Sequence, residues 1–331
     1  MTILVTGGNG FVGSAVVRVL LARGRQVRVL CRAGSNRQNL AGLNVEIVEG
    51  DLTDPASLVR AVSGCRELMH VAADYRLWVR NPDTLYQSNV TGSLNLLNCA
   101  IQAGVERIVY TSSVATLGTH SDASPSNEQS PVSLEDMIGH YKRSKYIAED
   151  QIKRHIHSHN WPVIIVNPST PIGPRDIKPT PTGRLILDAA RGKIPAFVDT
   201  GLNVVHVDDV AEGHVLALEQ GRIGERYILG GQDMSLERIL YQVAILTDQS
   251  PPKIKLPHQV VMPIALVSEL WCRLTGTGEP LATVDGVRMA RKFMYFSSDK
   301  ACQELSYAPR PAQQALADAV EWFRQDERLT F

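Results

Sequence analysis

The sequence has no excess of charge of either sign. Lysine and arginine together number 34, and so do aspartate and glutamate, so the formal net charge at pH 7 is zero. Proteins that bind nucleic acids need a positive field around the phosphate backbone, and this composition does not supply one. The balance therefore predicts that nucleic acid is not a binding partner.

Cysteine is scarce, and histidine is not grouped with other metal ligands. The five cysteines are widely spread and never form a C-x-x-C pair; they are Cys31, Cys65, Cys99, Cys272 and Cys302. An odd number without paired spacing predicts reduced thiols, with neither a disulfide framework nor a zinc site. His155, His157 and His159 form a cluster, but no acidic or thiol partner set accompanies them, so no metal site is predicted.

Long hydrophobic runs are also missing. The most apolar run is VVMPIALV at 260–267, which Pro263 interrupts and which is too short to span a bilayer. The first apolar strand begins at residue 2 without a basic leader, so no targeting peptide is expected and the predicted location is the cytoplasm. Together with Leu270 and Trp271, this run either packs in a core or forms an apolar lid that makes peripheral contact with a membrane.

The first half of the chain alternates between strand-like and helix-like segments. Six β-rich runs are predicted strands, at 3–6, 26–31, 45–48, 67–72, 106–111 and 162–167. Helical patterns are predicted at 11–23, 55–63, 83–103 and 133–158. Several strands are nearly continuous Val, Ile and Leu, as happens when helices cover both faces of a parallel sheet. The pattern predicts an α/β protein with a doubly wound parallel sheet, the Rossmann fold.

A glycine-rich stretch, TGGNGFVG at 6–13, joins the first predicted strand to the first helix. Its glycines allow a tight turn, close approach of the backbone to a phosphate and close packing of the helix on the strand. The start of the helix offers free N–H groups and the positive end of its dipole to a pyrophosphate. A strand before and a helix after the loop are the context that a dinucleotide-binding motif requires. The predicted dinucleotide-binding residues of this loop are Gly7, Asn9, Gly10, Phe11, Val12 and Gly13.

The end of the second predicted strand indicates which dinucleotide is bound. An acidic residue there binds the 2′-hydroxyl of NAD, whereas an arginine accommodates the 2′-phosphate of NADP. The strand 26–31 runs into Arg32 with no Asp or Glu at its tip, and Arg37 follows. NADP is therefore the predicted cofactor and NAD the alternative. The competing interpretation of Arg32 is an ordinary surface charge.

After residue 167 the alternation becomes irregular. The segment 167–183 holds five prolines and is predicted to be a structured loop. Strand patterns return at 203–207 and 226–229, with a helix from Asp208 between them.

The domain organisation follows from this change of pattern. We assign 1–167 to an NAD(P)-binding domain, to whose sheet 203–229 returns. We assign 168–202 and 230–331 mainly to a smaller C-terminal substrate-binding lobe. The chain has no low-complexity linker, so this lobe is expected to grow out of the sheet.

Tyr141 and Lys145 stand four positions apart in the predicted helix 133–158. Residues at this spacing lie on the same face of a helix. A nearby ammonium lowers the pKa of a phenol, which suits a group that donates and accepts a proton near neutral pH. The pair is therefore either an acid/base site or a solvated surface pair.

Several motifs together resemble the extended short-chain dehydrogenase/reductases of the NAD-dependent epimerase/dehydratase family. They are TGGNGFVG, GDLTD at 50–54, HVAA at 70–73, YTSSVAT at 110–116, YKRSK at 141–145, NPSTPIGP at 167–174 and VVHVDDVA at 204–211. The stretches HVAADYRLW, GHYKRSK and NPSTPIGPRDIKPTPTGR look like one subgroup, the hopanoid-associated sugar epimerases, near the dihydroflavonol 4-reductases.

The resemblance implies roles for individual residues. Tyr141 would be the acid/base, Lys145 would lower its pKa and hold the nicotinamide ribose, and Ser113 would orient the reacting oxygen. Asn89 would carry a water relay. Ser112 is expected to serve only in packing and hydrogen bonding. The further cofactor-binding residues implied, at the adenine or at the other end of the cofactor, are Asp51, Leu52, Ala72, Ala73, Pro168 and Ser169.

The resemblance leaves more than one function open. Sugar dehydratases of the family place an Asp-Glu pair directly after the serine, where this chain has Val114 and Ala115, so dehydration is disfavoured. Two enzyme functions remain: a reductase with dissociable NADPH and an epimerase with a retained nucleotide. A nucleotide-sensing protein without catalysis is the third hypothesis.

The substrate is predicted only by class, as a sugar, a polyol or a lipid-linked polyol such as the side chain of a hopanoid precursor. Besides Ser113 and Tyr141, the candidate substrate-binding residues are Tyr75, Trp78 and Arg175. A homodimer is implied by the resemblance alone.

Overall fold

A computed structural model describes residues 2–79, 81–275, 280 and 282–329. Among these residues, the strands in chain order are β1 (Thr2–Thr6), β2 (Gln26–Cys31), β3 (Glu46–Glu49), β4 (Cys65–His70), β5 (Arg107–Thr111), β6 (Val163–Pro168), β7 (Thr170–Ile172), β8 (Ala196–Val198), β9 (Gly201–His206), β10 (Arg226–Leu229), β11 (Gln232–Ser235), β12 (Ile254–Leu256) and β13 (Phe293–Met294). The α-helices are α1 (Phe11–Ala22), α2 (Pro55–Val62), α3 (Asp83–Tyr86), α4 (Ser93–Gln102), α5 (Gly139–His159), α6 (Pro181–Ala190), α7 (Val207–Gln220), α8 (Leu236–Thr247), α9 (His258–Thr275), α10 (Val284–Met289), α11 (Asp299–Leu305) and α12 (Ala312–Gln325).

Seven strands form one sheet in the order β10-β6-β5-β4-β1-β2-β3. Each neighbouring pair is parallel. Every residue of β6 is buried, because both faces of the sheet are covered by helices. The order reverses at β1, where adjacent chain crossovers go to opposite sides and leave a crevice at the carboxyl ends of the strands. The predicted doubly wound α/β fold is confirmed.

Two apolar layers hold this sheet. One core joins it to α1, α7 and α11, and the other joins it to α2, α4 and α5. Ile3 and Val5 of β1 face the first core and Leu4 faces the second, as the alternation of side chains along a strand requires.

The second lobe is built on a smaller sheet. β9 pairs with β11 in antiparallel fashion and with β7 and β13 in parallel fashion, and α6, α8 and α12 pack on it around a third core. β8 and β12 form a separate parallel pair.

This arrangement corrects one part of the domain assignment. Of the segment 203–229, α7 covers the large sheet and β10 joins it, but β9 belongs to the small sheet. The chain leaves the large sheet after Pro168, and β7 then offers β9 a partner. An apolar run such as 203–207 fits either sheet equally well, so its pattern does not reveal its partner.

Three other segments differ from their predictions. The segment 167–183 contains β7 and the start of α6, where Pro181 is tolerated because the first helical turn needs no N–H partner. The helix predicted at 133–158 begins only at Gly139; Leu134–Asp136 is a separate 3-10 turn. The helix predicted at 83–103 is interrupted by a turn of π-helix, Gln87–Gly92.

Candidate active site

The glycine-rich loop has the shape that a pyrophosphate requires. Gly7 has a φ of 70°, and a Cβ there would lie 2.7 Å from the backbone of Ala72. A Cβ on Gly13 would lie 2.1 Å from the carbonyl oxygen of Gly7. The first N–H groups of α1 have no partner within the helix, as at every helix start. No side-chain cap and no acidic residue of the first turn takes their place. The loop therefore fits a dinucleotide whose phosphates approach the backbone.

The neighbours of the loop hold it in place. Asn9 donates from Nδ2 to the carbonyl oxygen of Asn36 at 2.9 Å. Phe11 and Val12, the first residues of α1, pack partly buried against the core on that side of the sheet. Ala72 donates its N–H to Oγ1 of Thr6 at 3.3 Å.

A series of buried hydrogen bonds connects the end of β1 to the end of β4 and to the start of α4 beneath this loop. Nδ1 of His70 lies 2.7 Å from Oγ1 of Thr6, and Nε2 lies 2.8 Å from Oγ of Ser93, which donates to the carbonyl oxygen of Asn89. Burial, and then the charge of Lys145, lowers the pKa of His70 to about 3. His70 is therefore neutral, with Nε2 carrying the proton and Nδ1 accepting from Thr6.

Arg32 lies exposed just beyond β2. It lines a cavity of about 640 Å³ together with Gly50 and Asp51, at the end of the crevice where an adenine ribose is expected. Its guanidinium makes no ion pair within the described residues, whereas Arg37 is paired with Glu49. Arg32 thus lies at the ribose end of the crevice without an ion-pair partner among the described residues, whereas Arg37 has one.

Asp51 and Leu52 follow β3 at the same end of the crevice. Oδ1 of Asp51 accepts from the N–H and the hydroxyl of Thr53 at 2.8 and 2.6 Å, and these hydrogen bonds lower the pKa of Asp51. Leu52 packs against the start of α4: a Cβ on Gly92 would lie 2.7 Å from Cβ of Leu52. Asp51 is therefore an ionised acceptor at neutral pH.

Ser113 and Tyr141 come together at the carboxyl end of β5. Ser113 follows β5, and its Oγ accepts from the N–H of Ala115 at 3.1 Å. Tyr141 lies in the first turn of α5, and a hydrogen bond with Ser113 favours its phenolate form. Two hydroxyls so placed can hold one substrate oxygen between them.

Lys145 lies one turn further along α5 and is fully buried. Its Nζ donates to the carbonyl oxygen of Thr111 at 2.8 Å and to the hydroxyl of Tyr110 at 3.1 Å. Burial lowers the pKa of Lys145 to about 8, although Glu149 opposes this shift. The lysine is thus anchored to the end of β5, two residues before Ser113.

The electrostatics of Tyr141 differ from the prediction. Burial raises the pKa of Tyr141, and its hydrogen bond with Ser113 opposes that shift. Lys145 was predicted to lower this pKa directly, but its ammonium is directed at Tyr110 and Thr111. In the protein alone, therefore, Tyr141 is a protonated phenol at neutral pH.

Asn89 lies on the π-helical turn and is buried. Its Oδ1 accepts from the N–H of Asp74 at 2.8 Å, and its Nδ2 donates to the carbonyl oxygen of Asp74 at 2.9 Å and to Oγ of Ser144 at 3.0 Å. π-Helical turns often occur at functional sites. Here the turn lets one amide fix the loop after β4 against α5.

A buried carboxylate behind the site was not predicted. Oε2 of Glu149 accepts from Ser112 at 2.5 Å, from Thr116 at 2.8 Å and from Asn167 at 3.1 Å. Its Oε1 lies 2.6 Å from Nζ of Lys153 and 3.1 Å from Arg226. Ser112 is thus a structural hydrogen-bonding residue, as expected. The spacing of Tyr141, Lys145, Glu149 and Lys153, each four residues apart, was the available signal.

The candidate substrate-binding residues are dispersed. Tyr75 is 41% exposed and Trp78 is partly buried in the loop after β4. Arg175 forms an ion pair with Asp208, and its carbonyl oxygen accepts from Asn39 at 3.2 Å. Asn39 also donates to the carbonyl oxygen of Asn9 at 3.4 Å. Arg175 therefore lies beside the glycine-rich loop, not beside Ser113 and Tyr141.

Pro168 and Ser169 end β6 next to the site. Pro168 is buried, and Ser169 donates its N–H to the carbonyl oxygen of Leu229 at 3.1 Å. Ala73 is partly buried in the loop after β4. The predicted cofactor residues thus follow the ends of β1 to β6 along the carboxyl edge of the sheet.

The apolar run at 260–267 lies on α9, which has an exposed apolar face. Val267, Trp271 and Leu274 are 68%, 67% and 76% exposed and recur at helical spacing, so they lie on one side. α9 packs on α10, which reaches the start of α5: a Cβ on Gly139 would lie 3.2 Å from Oδ2 of Asp285. Within the described parts of the chain, no helix is long and apolar enough to cross a membrane.

Comparison with known proteins agrees with this geometry. Residues 3–230 match the family described as "NAD dependent epimerase/dehydratase family". The chain belongs to this family. A putative dihydroflavonol 4-reductase of Synechocystis is 46% identical over 324 residues, covering 97% of this chain and 94% of that protein. Sterol demethylase protein B of Methylococcus capsulatus is 36% identical, covering 98% and 99%. The crystal structure of gox2253 is 55% identical with a TM-score of 0.90, covering 99% of each chain.

Members of this family are NAD(P)-dependent enzymes, and the residues present here fit that chemistry. A bound nicotinamide supplies or accepts the hydride. The chain itself supplies the phosphate loop, the buried Lys145 and the two hydroxyls of Ser113 and Tyr141. In such an enzyme the cofactor carries the hydride chemistry and the protein contributes position and electrostatics.

Proposed function

We propose that this protein is an NADPH-dependent reductase that interconverts a carbonyl and a hydroxyl. The observation that supports this best is the position of Lys145: one turn after Tyr141 on α5, it donates from Nζ to the carbonyl oxygen of Thr111 at 2.8 Å, and Thr111 ends β5 two residues before Ser113. In the reducing direction, hydride adds to the carbonyl carbon and the proton of Tyr141 goes to the oxygen. Burial raises the pKa of Tyr141, so the phenol is protonated at neutral pH and has a proton to give.

The choice of NADPH rests on Arg32. It is exposed at the ribose end of the crevice and has no ion-pair partner among the described residues. A 2′-phosphate would provide that partner, since arginine binds phosphate with parallel hydrogen bonds. A reductase must exchange its oxidised coenzyme after each turnover, so it needs a coenzyme that dissociates, such as NADPH.

The substrate we propose is apolar with an oxygen-bearing part, as in a lipid-linked polyol such as a hopanoid precursor. The names of the two relatives, a dihydroflavonol reductase and a sterol demethylase protein, denote polycyclic compounds. The exposed apolar face of α9 supports the same class, because α9 packs on α10 and Asp285 of α10 lies beside Gly139 at the start of the helix that bears Tyr141. Peripheral membrane contact by this face and the homodimer remain predictions.

The second candidate is a sugar epimerase, which the name of the family supports. An epimerase retains its nucleotide and returns the hydride to the opposite face of the substrate. It needs no free NADPH, so nucleotide bound to the purified protein would favour it.

The decisive experiment measures NADPH oxidation by the purified protein with ketones of increasing apolar size and with sugar nucleotides. The reductase proposal expects NADPH-dependent turnover of a ketone and its loss in Tyr141→Phe. Release of tightly bound NAD on denaturation, together with conversion of a sugar nucleotide without net NADPH use, would overturn it. Ligand binding without turnover of any compound would point to the nucleotide-sensing alternative.

A further inference from the structure

Tyr110 is a buried residue of β5 that is not among the predicted site residues. Its hydroxyl accepts a hydrogen bond from Nζ of Lys145 at 3.1 Å, and the same Nζ lies 4.7 Å from the centroid of its ring. Burial raises the pKa of Tyr110, so its hydroxyl keeps its proton at neutral pH. The ammonium of Lys145 therefore meets a neutral acceptor here.

The ammonium of Lys145 is a buried charge with few partners. Lys145 is 1% exposed and makes no ion pair among the described residues. Glu149, one turn further along α5, instead pairs with Arg226 and with a second lysine. The acceptors that Lys145 does have are the hydroxyl of Tyr110 and the carbonyl oxygen of Thr111. Each of them matters, because a buried polar group that loses a partner finds no water to replace it.

The two acceptors also determine how the ammonium is oriented. A lysine ammonium carries three N–H donors. With two of them directed at Tyr110 and at Thr111, rotation about the last bond of the side chain is fixed. The third N–H has no acceptor within the part of the chain that the structure describes. With the carbonyl oxygen of Thr111 alone, the ammonium would be free to rotate about a single hydrogen bond.

The place of this ammonium indicates what the third N–H can bind. Lys145 is held at the carboxyl end of β5, and the crevice outside the carboxyl ends of the strands is where a doubly wound sheet binds its dinucleotide. The oxygen atoms of a bound coenzyme are acceptors, so they match an unpaired N–H.

We propose that Tyr110 is a positioning residue, whose hydroxyl orients the ammonium of Lys145 towards an acceptor oxygen of the bound coenzyme. The proposal rests on the function proposed above, since it needs a coenzyme at this site. Tyr110 acts through Lys145 alone. Phenylalanine at this position would keep the aromatic ring beside the ammonium and would remove only the oriented acceptor.

The first test needs no coenzyme and compares the stability of Tyr110→Phe with that of the wild type by urea denaturation. Burial lowers the pKa of Lys145 to about 8, so in the folded protein its amine is charged at about pH 6 and mostly neutral at about pH 9. A hydrogen bond to the ammonium favours the charged form. Tyr110→Phe should therefore raise the unfolding equilibrium constant about tenfold more at about pH 6 than at about pH 9.

The titratable groups around Lys145 keep their charge between these two pH values. Burial, and then the charge of Lys145, lowers the pKa of His70 to about 3. The pKa of Glu149 is about 2, because its ion pairs and hydrogen bonds overcome burial. Burial raises the pKa of Tyr110 and of Tyr141. A pH-dependent effect of Tyr110→Phe therefore reports on the ammonium of Lys145.

Tyr227→Phe is the matched control. Tyr227 is another fully buried tyrosine of the same sheet, and Nζ of Lys300 lies 4.8 Å from the centroid of its ring. Its hydroxyl, however, donates to Oε2 of Glu304 at 2.8 Å, and Lys300 donates to Glu225 instead. Loss of this hydroxyl should change stability equally at both pH values.

The second test measures binding of NADPH and NADP by calorimetric titration. Tyr110→Phe should weaken binding by about fivefold to tenfold, and Tyr227→Phe should leave it unchanged. In a Lys145→Met background, Tyr110→Phe should weaken binding no further, because no ammonium is left to orient. A tyrosine that served only in packing would have the same effect in both backgrounds.

The outcomes separate this proposal from the reductase function. Tyr110 has no positioning role if the effect of Tyr110→Phe on stability is the same at both pH values, if coenzyme binding is unchanged, or if binding weakens equally without Lys145. An unfolded Tyr110→Phe would also contradict the proposal, since the loss of one oriented acceptor should leave the fold intact. Wild-type protein that shows the expected binding results but reduces no ketone would refute the reductase proposal alone.

Discussion

Replacing Glu149 with glutamine tests how much the buried network behind the active site contributes to stability. Glu149 is only 2% exposed and accepts hydrogen bonds from Ser112, Thr116 and Asn167. Burial alone would raise its pKa, but the charge of Lys153 and the hydrogen bonds overcome burial and lower the pKa to about 2. Glutamine keeps the shape of the side chain and removes its charge.

The magnitude follows from the shift of the pKa. A fall from the ordinary value of 4.5 to about 2 corresponds to about 3 kcal/mol of stability, at about 1.4 kcal/mol per unit. Because the folded-state pKa is the lower one, this contribution is complete above pH 4.5 and is lost progressively as the pH falls towards 2. Glu149→Gln should therefore reduce the free energy of unfolding by about 3 kcal/mol at neutral pH, and by about 1.4 kcal/mol less at about pH 3.5.

Urea denaturation of the wild type and Glu149→Gln, at about pH 7 and about pH 3.5, measures both quantities. The control is Glu106→Gln, since Glu106 is an exposed residue 3.5 Å from Arg66 and should change stability by less than about 0.5 kcal/mol. A difference between wild type and Glu149→Gln that is the same at both pH values would refute the reasoning, because the lost charge would then not be the cause.

Three further changes test the site. Tyr141→Phe should lower kcat by about 10² to 10⁴ with NADPH affinity retained, measured by NADPH oxidation and coenzyme fluorescence; unchanged turnover would remove Tyr141 as the proton donor. Arg32→Ala should weaken NADPH binding by about tenfold or more and leave NADH binding nearly unchanged, and equal effects on both would contradict a 2′-phosphate contact. Gly13→Ala should abolish binding of either coenzyme in a calorimetric titration, since its Cβ would lie 2.1 Å from the carbonyl oxygen of Gly7; tight binding would show that the loop can widen.

The large sheet could be predicted because its strands are apolar on both faces and separated by amphipathic helices. The predicted strand at 26–31 agrees with β2 at both ends. β9 was harder, since periodicity identifies a strand but not its partner. The π-helical turn at Gln87–Gly92 leaves no mark in a pattern of apolar residues, because it adds a single residue to a helix that otherwise continues.

Parts of the site were predictable because only certain residue types fit the structure there. Gly13 has no room for a Cβ. Tyr141 and Lys145 are four residues apart, a spacing that places them on one face of a helix. The pKa of Tyr141 was not predictable, because it depends on burial and on the direction of the Lys145 ammonium.

Ser112 and Ser113 point to opposite sides of the chain, one to Glu149 and the other to Tyr141. The N–H of Ser112 continues the ladder to the carbonyl oxygen of Val166 at 2.8 Å, which fixes the register of both residues. A single deletion within β5 would slide the second serine into the interior and leave Tyr141 facing a valine. The end of β5 should therefore tolerate substitutions better than insertions or deletions. A designer who builds the same site in another protein would have to transfer the end of β5 and the helix α5 together.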